Sequence, residues 1–313
     1  MTRASRQTAG FGVAPQGSAA NRKERVDLKL LLTDSAHSLG VALEHELERE
    51  PFGLLAPAAK DVDWCDREAV DAYIGQGKPN LVINTLGWSD APSESDCRLL
   101  PLAAEALAEV CKERGIPMIQ LSSYRVFGDD NKSKHSERDE PVPNSSVGRA
   151  FYAAERAVTE RLERAIVLRT SWVIGSFGDN HLTRLMHALQ AGESWKPNSR
   201  LRGAPTALSD LARVTVGLIK QISCGAECWG TYHYCSGDAC TEVEFAEQLQ
   251  QVLQQQDYQG PEPVFEIVEE APTGEPLSAV LSSLRVRNDF GVQTRTWRTM
   301  LVSMVKQWLH TNQ

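Results

Sequence analysis

The chain has 313 residues, 42% of them hydrophobic and 24% charged, with a formal net charge of −8. That length suits one large α/β unit, or a domain carrying a smaller lobe. The acidity gives no reason to expect nucleic-acid binding, and no run approaches the roughly 18 apolar residues of a membrane span. Residues 1–27 are polar, small and locally basic (Arg3, Arg6, Arg22, Lys23, Arg25) and contain no apolar signal core. They read as a disordered tail or an expression-derived extension rather than a transit peptide.

Lys29-Leu-Leu-Leu-Thr33 is a short buried strand. A helix over 38–50 follows, with Leu39, Val41, Leu43 and Leu47 as its apolar positions, and a second strand lies near Leu54. Asp66 opens a helix to about Gly75, and Leu81-Val-Ile-Asn84 is a strand. The 99–114 segment is an apolar-faced helix that stops at Gly115 and Pro117. Pro117–Ser123 is a strand, 149–163 a helix and Ala165–Thr170 a strand. Beyond residue 172 the pattern predicts helices over 181–191, 208–222, 241–256 and 296–309, and strands at Thr231–Cys235 and Val264–Val268. The Gln-rich run 248–256 is the solvated face of its helix. Alternating strands and helices of this length imply right-handed βαβ units, so the fold class is α/β: a Rossmann-like doubly wound parallel sheet with a smaller α/β C-terminal lobe. The expected division is 28–171 for the sheet domain, with 208–235 returning to it, and 172–207 plus 236–313 for the lobe.

The seven cysteines form an odd set in a chain without a signal, which fits a reducing cytoplasm. Cys224, Cys228, Cys235 and Cys240 lack the paired Cys-x2-Cys spacing of zinc ribbons. They read as packed or surface thiols, and no metal is expected.

Several segments occur together in a fixed order: Leu81–Asn84, Leu121-Ser-Ser-Tyr-Arg-Val-Phe127, Leu168-Arg-Thr-Ser-Trp-Val-Ile-Gly175, Gly203-Ala-Pro-Thr206, Asp210-Leu-Ala212, Gly230-Thr-Tyr-His233 and Glu244-Phe-Ala246. From about Lys29 to Leu309 the chain resembles the dTDP-4-dehydrorhamnose reductases of the extended short-chain dehydrogenase/reductase superfamily. The resemblance implies a dinucleotide-binding domain, a lobe that binds a sugar nucleotide, hydride from NADPH or NADH, and a Ser/Thr, a Tyr and a Lys that assist proton transfer. Such relatives often dimerise through helices flanking the active site, so a homodimer is one expectation for partners. The same fold family includes a regulatory subunit, so a protein partner is another.

Set against that pattern, this sequence departs at both ends of the site. The phosphate turn reads Asp34-Ser-Ala-His37-Ser-Leu-Gly40 and keeps only its last glycine, Gly40. Asp34 brings a carboxylate towards the place of a phosphate, and like charges repel there; the turn is expected to cap itself through Asp34, Ser35 or Ser38. After the second strand, Ala58 stands where a ribose-binding acid or arginine belongs, with Lys60 the nearest cation. Asp63 aligns with the adenine-contacting acid and is either its remnant or, like Asp66, the start of a helix. Ser123 aligns with the catalytic Ser/Thr, followed by Tyr124 and Arg125 in place of Asp-Tyr. The Tyr and Lys positions hold Val147 and Phe151, in a register pinned by Gly148-Arg149 and Ala153-Ala154-Glu155. Leu100 replaces a helix asparagine.

Tyr152 and Arg156 repeat the four-residue spacing, but about 140° around the helix. If the chain is active, Ser123, Tyr152 and Arg156 are its catalytic candidates. Ser122, Ser123, Trp172, Arg202 and Thr206 are the substrate-binding candidates, with Arg202 either a diphosphate ligand or a surface residue beside a turn. Coordinated loss at Asp34, His37, Ala58, Leu100, Val147 and Phe151 leads to the expectation of a non-catalytic, ligand-binding or regulatory relative with no cofactor. The alternative is an NAD(P)H-dependent reductase or epimerase of a nucleotide-linked 4-keto sugar with a reshaped site.

Overall fold

The computed structural model describes residues 28–312 except 91, 129, 257, 271 and 272; the predicted tail at 1–27 lies outside the described residues. Six parallel strands form the central sheet: β1 (Lys29–Leu32), β2 (Gly53–Leu55), β3 (Leu81–Asn84), β4 (Met118–Ser123), β5 (Ala165–Thr170) and β9 (Gly230–Tyr234), in the order β2-β1-β3-β4-β5-β9. Leu30, Leu31 and Leu32 are fully buried, as interior strands of a parallel sheet require. Each such leucine contributes roughly 1.5–3 kcal/mol. The sequence order reverses between β1 and β3, so a crevice opens beyond their C-terminal ends, the usual ligand position in such sheets.

Helices α1 (Ser38–Leu47), α2 (Arg67–Gly77), α3 (Glu94–Arg114), α4 (Ser146–Thr159) and α6 (Leu208–Ser223) pack on the sheet. Their starts follow local chemistry. Asp66 caps α2 by accepting from the Glu68 amide at 3.0 Å, and Ser93 and Asp96 exchange hydrogen bonds in a capping box that starts α3. That box sets the start at Glu94, earlier than the apolar pattern suggests, and Pro101 is carried inside the helix.

The remaining elements are β6 (Val173–Ile174), α5 (His181–Gln190), β7 (Arg202–Gly203), β8 (Thr206–Ala207), β10 (Cys240–Thr241), α7 (Glu242–Gln255), α8 (Leu284–Phe290) and α9 (Trp297–Asn312). The sequence pattern missed the two-residue strands. It also predicted a strand at 264–268, where only isolated bridges form, from Phe265 to Trp195 and from Val268 to Asn198. No described helix is long and apolar enough to cross a membrane. Among the described residues, no group of three or more His, Cys, Asp or Glu side chains is arranged to hold a metal ion. Cys235 and Cys240 are buried and Cys224 is exposed.

Candidate active site

The crevice at the C-terminal ends of β3 and β4 is lined by Asp90, Tyr124, Arg125, Trp172, His181, Arg184, Leu201, Glu242, Glu275 and Pro276, around a space of about 130 Å³. It shares His181, Arg184 and Glu242 with a larger hollow of about 690 Å³ that is also lined by Trp195, Lys196 and Pro197. Trp172 is buried and stacks on His181, with ring centres 5.1 Å apart. The backbone of Gly203 lies so close that a Cβ there would sit 2.2 Å from the Trp172 ring. Burial holds the His181 imidazole below its usual pKa, hence neutral. Arg184 pairs with Asp90 and Asp179, and Asp90 also accepts from the Val173 amide at 3.2 Å. Arg125 donates to Glu275 at 2.7 Å and to the Asp90 carbonyl at 3.2 Å, tying the 275 segment to the end of β4.

Ser122 and Ser123 point to opposite faces of β4, as neighbours on a strand must. Ser122 is buried and donates to Glu155 at 2.6 Å; Glu155 in turn holds Arg169 through two hydrogen bonds of 2.8 and 2.6 Å. Ser122 therefore anchors β4 to α4 and β5. Ser123 accepts from the Arg125 amide at 3.3 Å, which leaves its own hydroxyl proton unused. Gly148 of α4 abuts the same turn: a Cβ there would come within 2.1 Å of the Arg125 carbonyl. Val147, half-buried, and Phe151, fully buried, thus stand beside the Ser123 turn and pack into the core. Tyr152 is half-buried and Arg156 pairs with Glu160 at 2.5 Å; neither lines the crevice.

Arg202 and Leu201 are neighbours on an extended segment, and only Leu201 lines the crevice. Arg202 is exposed and, with Lys134 and Arg287, lines a separate hollow of about 480 Å³. Thr206 is buried at the start of β8, donating to the Ala204 carbonyl at 2.9 Å. Sequence reading did not assign Asp90, Tyr124, Arg125, His181, Arg184, Glu242 or Glu275 to the site. Of these, only Tyr124 and Arg125 lie within a recognisable motif, Leu121–Phe127.

The phosphate turn is built differently from the arrangement its sequence suggests. Asp34 is 2% exposed and accepts from the amides of Ala36 at 3.0 Å and His37 at 3.4 Å, with the His37 ring closing on its other oxygen. Burial pushes the Asp34 carboxyl up, but the His37 hydrogen bond and charge and the two amides outweigh it, so its pKa lies below the usual range. The hydrogen bond to Asp34 raises His37. Below the folded pKa of His37 the pair is a carboxylate and an imidazolium whose charges offset. The first-turn amides of α1, at Ser38, Leu39 and Gly40, make no hydrogen bond among the described residues. Gly40 lets the helix approach, since a Cβ there would meet the Asp34 carbonyl at 2.1 Å. Three free amides at a helix N-terminus fit a pyrophosphate. Beyond β2, Asp63 is exposed and accepts from the Cys65 amide at 3.1 Å, a local turn.

Residues 28–310 match the family model described as the RmlD substrate binding domain. The chain belongs to the RmlD family. Over 222 residues it is 29% identical to a dTDP-4-keto-6-deoxy-D-glucose reductase of Streptomyces niveus, covering 69% of this chain and 75% of that one. Over 285 residues it is 24% identical to a dTDP-4-dehydrorhamnose reductase of Aggregatibacter actinomycetemcomitans, covering 87% and 97%. A solved dTDP-4-dehydrorhamnose reductase of Bacillus anthracis, in complex with NADP, shares the fold at a TM-score of 0.76 and 21% identity, covering 90% of this chain and 98% of that one.

These findings correct two expectations drawn from the sequence. A non-catalytic reading is overturned by RmlD-family membership across the described chain and by full-length relatives named as reductases. With it falls the expectation of no cofactor, since the solved RmlD-like relative holds NADP. The physical error lay in the direction of Asp34. Its carboxylate turns under the loop onto Ala36 and His37 and is offset by the imidazolium, so the like-charge repulsion inferred from the sequence is largely cancelled.

Proposed function

We propose that this chain is an NAD(P)H-dependent reductase of a nucleotide-linked 4-keto sugar. The observation that carries the reading is the RmlD-family match over residues 28–310, together with relatives named as dTDP-4-keto-sugar reductases. The geometry supports it. The amides of Ser38, Leu39 and Gly40 would hold the cofactor pyrophosphate, and Lys60, exposed beyond β2, is the cation available to a 2′-phosphate. A bound reduced nicotinamide supplies the hydride. Ser123 hydrogen-bonds the substrate carbonyl with its free proton, and Trp172 walls the sugar side of the crevice. The larger hollow, with Arg184, Trp195 and Lys196, takes the nucleotide diphosphate. Arg202 and Thr206 stand outside this crevice and carry no part of the reading. We place the chain in the cytoplasm, where nicotinamide cofactors and sugar nucleotides occur together and where its seven unpaired cysteines remain reduced.

Titration of the purified chain with NADPH, NADH and dTDP by calorimetry and thermal melting tests the assignment. Saturable binding of a cofactor and of dTDP is expected, with about 2.7 kcal/mol of added stability at 100 times the dissociation constant. Absence of cofactor binding at millimolar concentration overturns it.

A further inference from the structure

Val147 and Phe151 leave the reaction without a proton donor on α4, yet a phenol stands elsewhere in the same crevice. Tyr124 follows Ser123 directly in the short 3-10 turn that ends β4, is 6% exposed, and lines the crevice with Trp172. Its hydroxyl makes no hydrogen bond among the described residues, and its oxygen is not fully buried, so it is open to a ligand in the crevice. The Arg125 guanidinium carbon lies 5.3 Å from the Tyr124 ring centre and is itself fixed by Glu275 and Asp90. Val147 has no donor atom, Phe151 is sealed in the core, and Tyr152 and Arg156 do not line the crevice. His181, the other neutral donor there, is stacked on Trp172 and held at a tilt against Phe245.

We infer that Tyr124 is the proton donor of the reduction, a catalytic residue that stands in for the missing side chain at position 147. The inference rests on the reductase reading above. As the hydride of the reduced nicotinamide bonds to the carbonyl carbon, the π pair of the C=O bond moves onto oxygen. That oxygen takes the proton from the Tyr124 hydroxyl, breaking its O–H bond. The phenolate left behind faces the Arg125 cation and is reprotonated by water from the larger hollow. Burial raises the Tyr124 pKa and keeps the phenol protonated, the form a donor needs. The charged groups facing it are Arg125, Glu275, Asp90 and Glu242.

The test compares wild type, Tyr124→Phe and a chain carrying 3-fluorotyrosine at 124 in NADPH oxidation with a dTDP-4-keto-6-deoxy sugar, with dTDP affinity measured in parallel. Loss of one general acid lowers kcat by about 10²–10⁴, so Tyr124→Phe is expected to fall by that factor. Its KM and dTDP affinity should stay within about threefold. The more acidic fluorotyrosine should change kcat and its solvent deuterium isotope effect at neutral pH, which a packing role would not do. Tyr124→Phe with wild-type kcat, or fluorotyrosine with wild-type kcat and isotope effect, overturns the inference while the reductase reading stands. An inactive wild type overturns both. Removing a hydroxyl that has no partner keeps the shape of the ring, and the fluorotyrosine chain reports independently of the Phe variant.

Discussion

The Asp34–His37 pair makes a quantitative prediction about cofactor affinity. Asp34 touches the His37 amide at 3.4 Å, and the free amides begin at the next residue. A pyrophosphate on them therefore lies about one helical turn away, roughly 5–7 Å. At an effective dielectric near 20, one charge at ~7 Å is worth about 2 kcal/mol, or roughly thirtyfold in Kd. In the wild type the imidazolium offsets the carboxylate. His37→Ala leaves Asp34 uncompensated, and the expected result is NADH binding roughly ten- to thirtyfold weaker. Because Asp34 is what raises His37, the titrations are run at about pH 5.5, where the imidazole is protonated without it; there Asp34→Asn leaves the cation alone and should tighten binding by a similar factor. The double variant should return close to wild type, so the two effects cancel rather than compound in a double-mutant cycle. Calorimetric titration of all four proteins reads the cycle directly. If His37→Ala binds as well as wild type and Asp34→Asn binds no tighter, charge compensation at this turn is refuted.

Three further outcomes follow from the same geometry. His37 has a raised pKa, so its contribution to stability is fully present below its unfolded value of 6.5 and is lost as pH rises through its folded value; Asp34, lowered, contributes above 3.8 and loses its share as pH falls through its own folded value. NADH, which carries no titrating 2′-phosphate, should accordingly bind more weakly as pH climbs above 6.5 through the folded value of His37, and a flat Kd from pH 6 to 9 contradicts this. Glu155→Gln breaks a buried pair whose side chains are both 5% exposed and strands Arg169; a loss of about 3–5 kcal/mol is expected in urea unfolding, and a change under 1 kcal/mol refutes the role given to the pair. Gly203→Ala forces the Trp172 ring aside, at about 1–3 kcal/mol of overpacking, and should weaken dTDP-sugar binding; unchanged melting temperature and affinity would show that the ring has room.

The parts of the fold legible in the sequence were those set by local rules. Leu81–Asn84 and Ala165–Thr170 form strands at the predicted bounds because each is a short run, bounded by breaking residues and buried throughout. The start of α3 was misread because apolar spacing marks the buried face, whereas the Ser93–Asp96 capping box marks the end. At 264–268 the β-rich composition was right, but only single bridges to Trp195 and Asn198 are available as partners. Of the residues lining the crevice, Trp172 was legible because it follows a recognisable strand. Asp90, His181, Glu242 and Glu275 come from separate segments, and only the tertiary fold brings them to one crevice. The direction of Asp34 is not legible in the sequence. A sequence shows that a carboxylate is present, and only the backbone of the turn shows that it points inward onto two amides and an imidazole.

The proposed function depends on hydride transfer to a nucleotide-linked ketone. The most direct measurement is NADPH oxidation by the purified full chain with dTDP-4-dehydrorhamnose, followed by loss of cofactor absorbance and by chromatography of the sugar nucleotide. Saturable oxidation is expected, with one reduced dTDP-sugar formed per NADPH consumed. Oxidation no faster than in a protein-free control, from a folded chain that has bound both ligands, would contradict it.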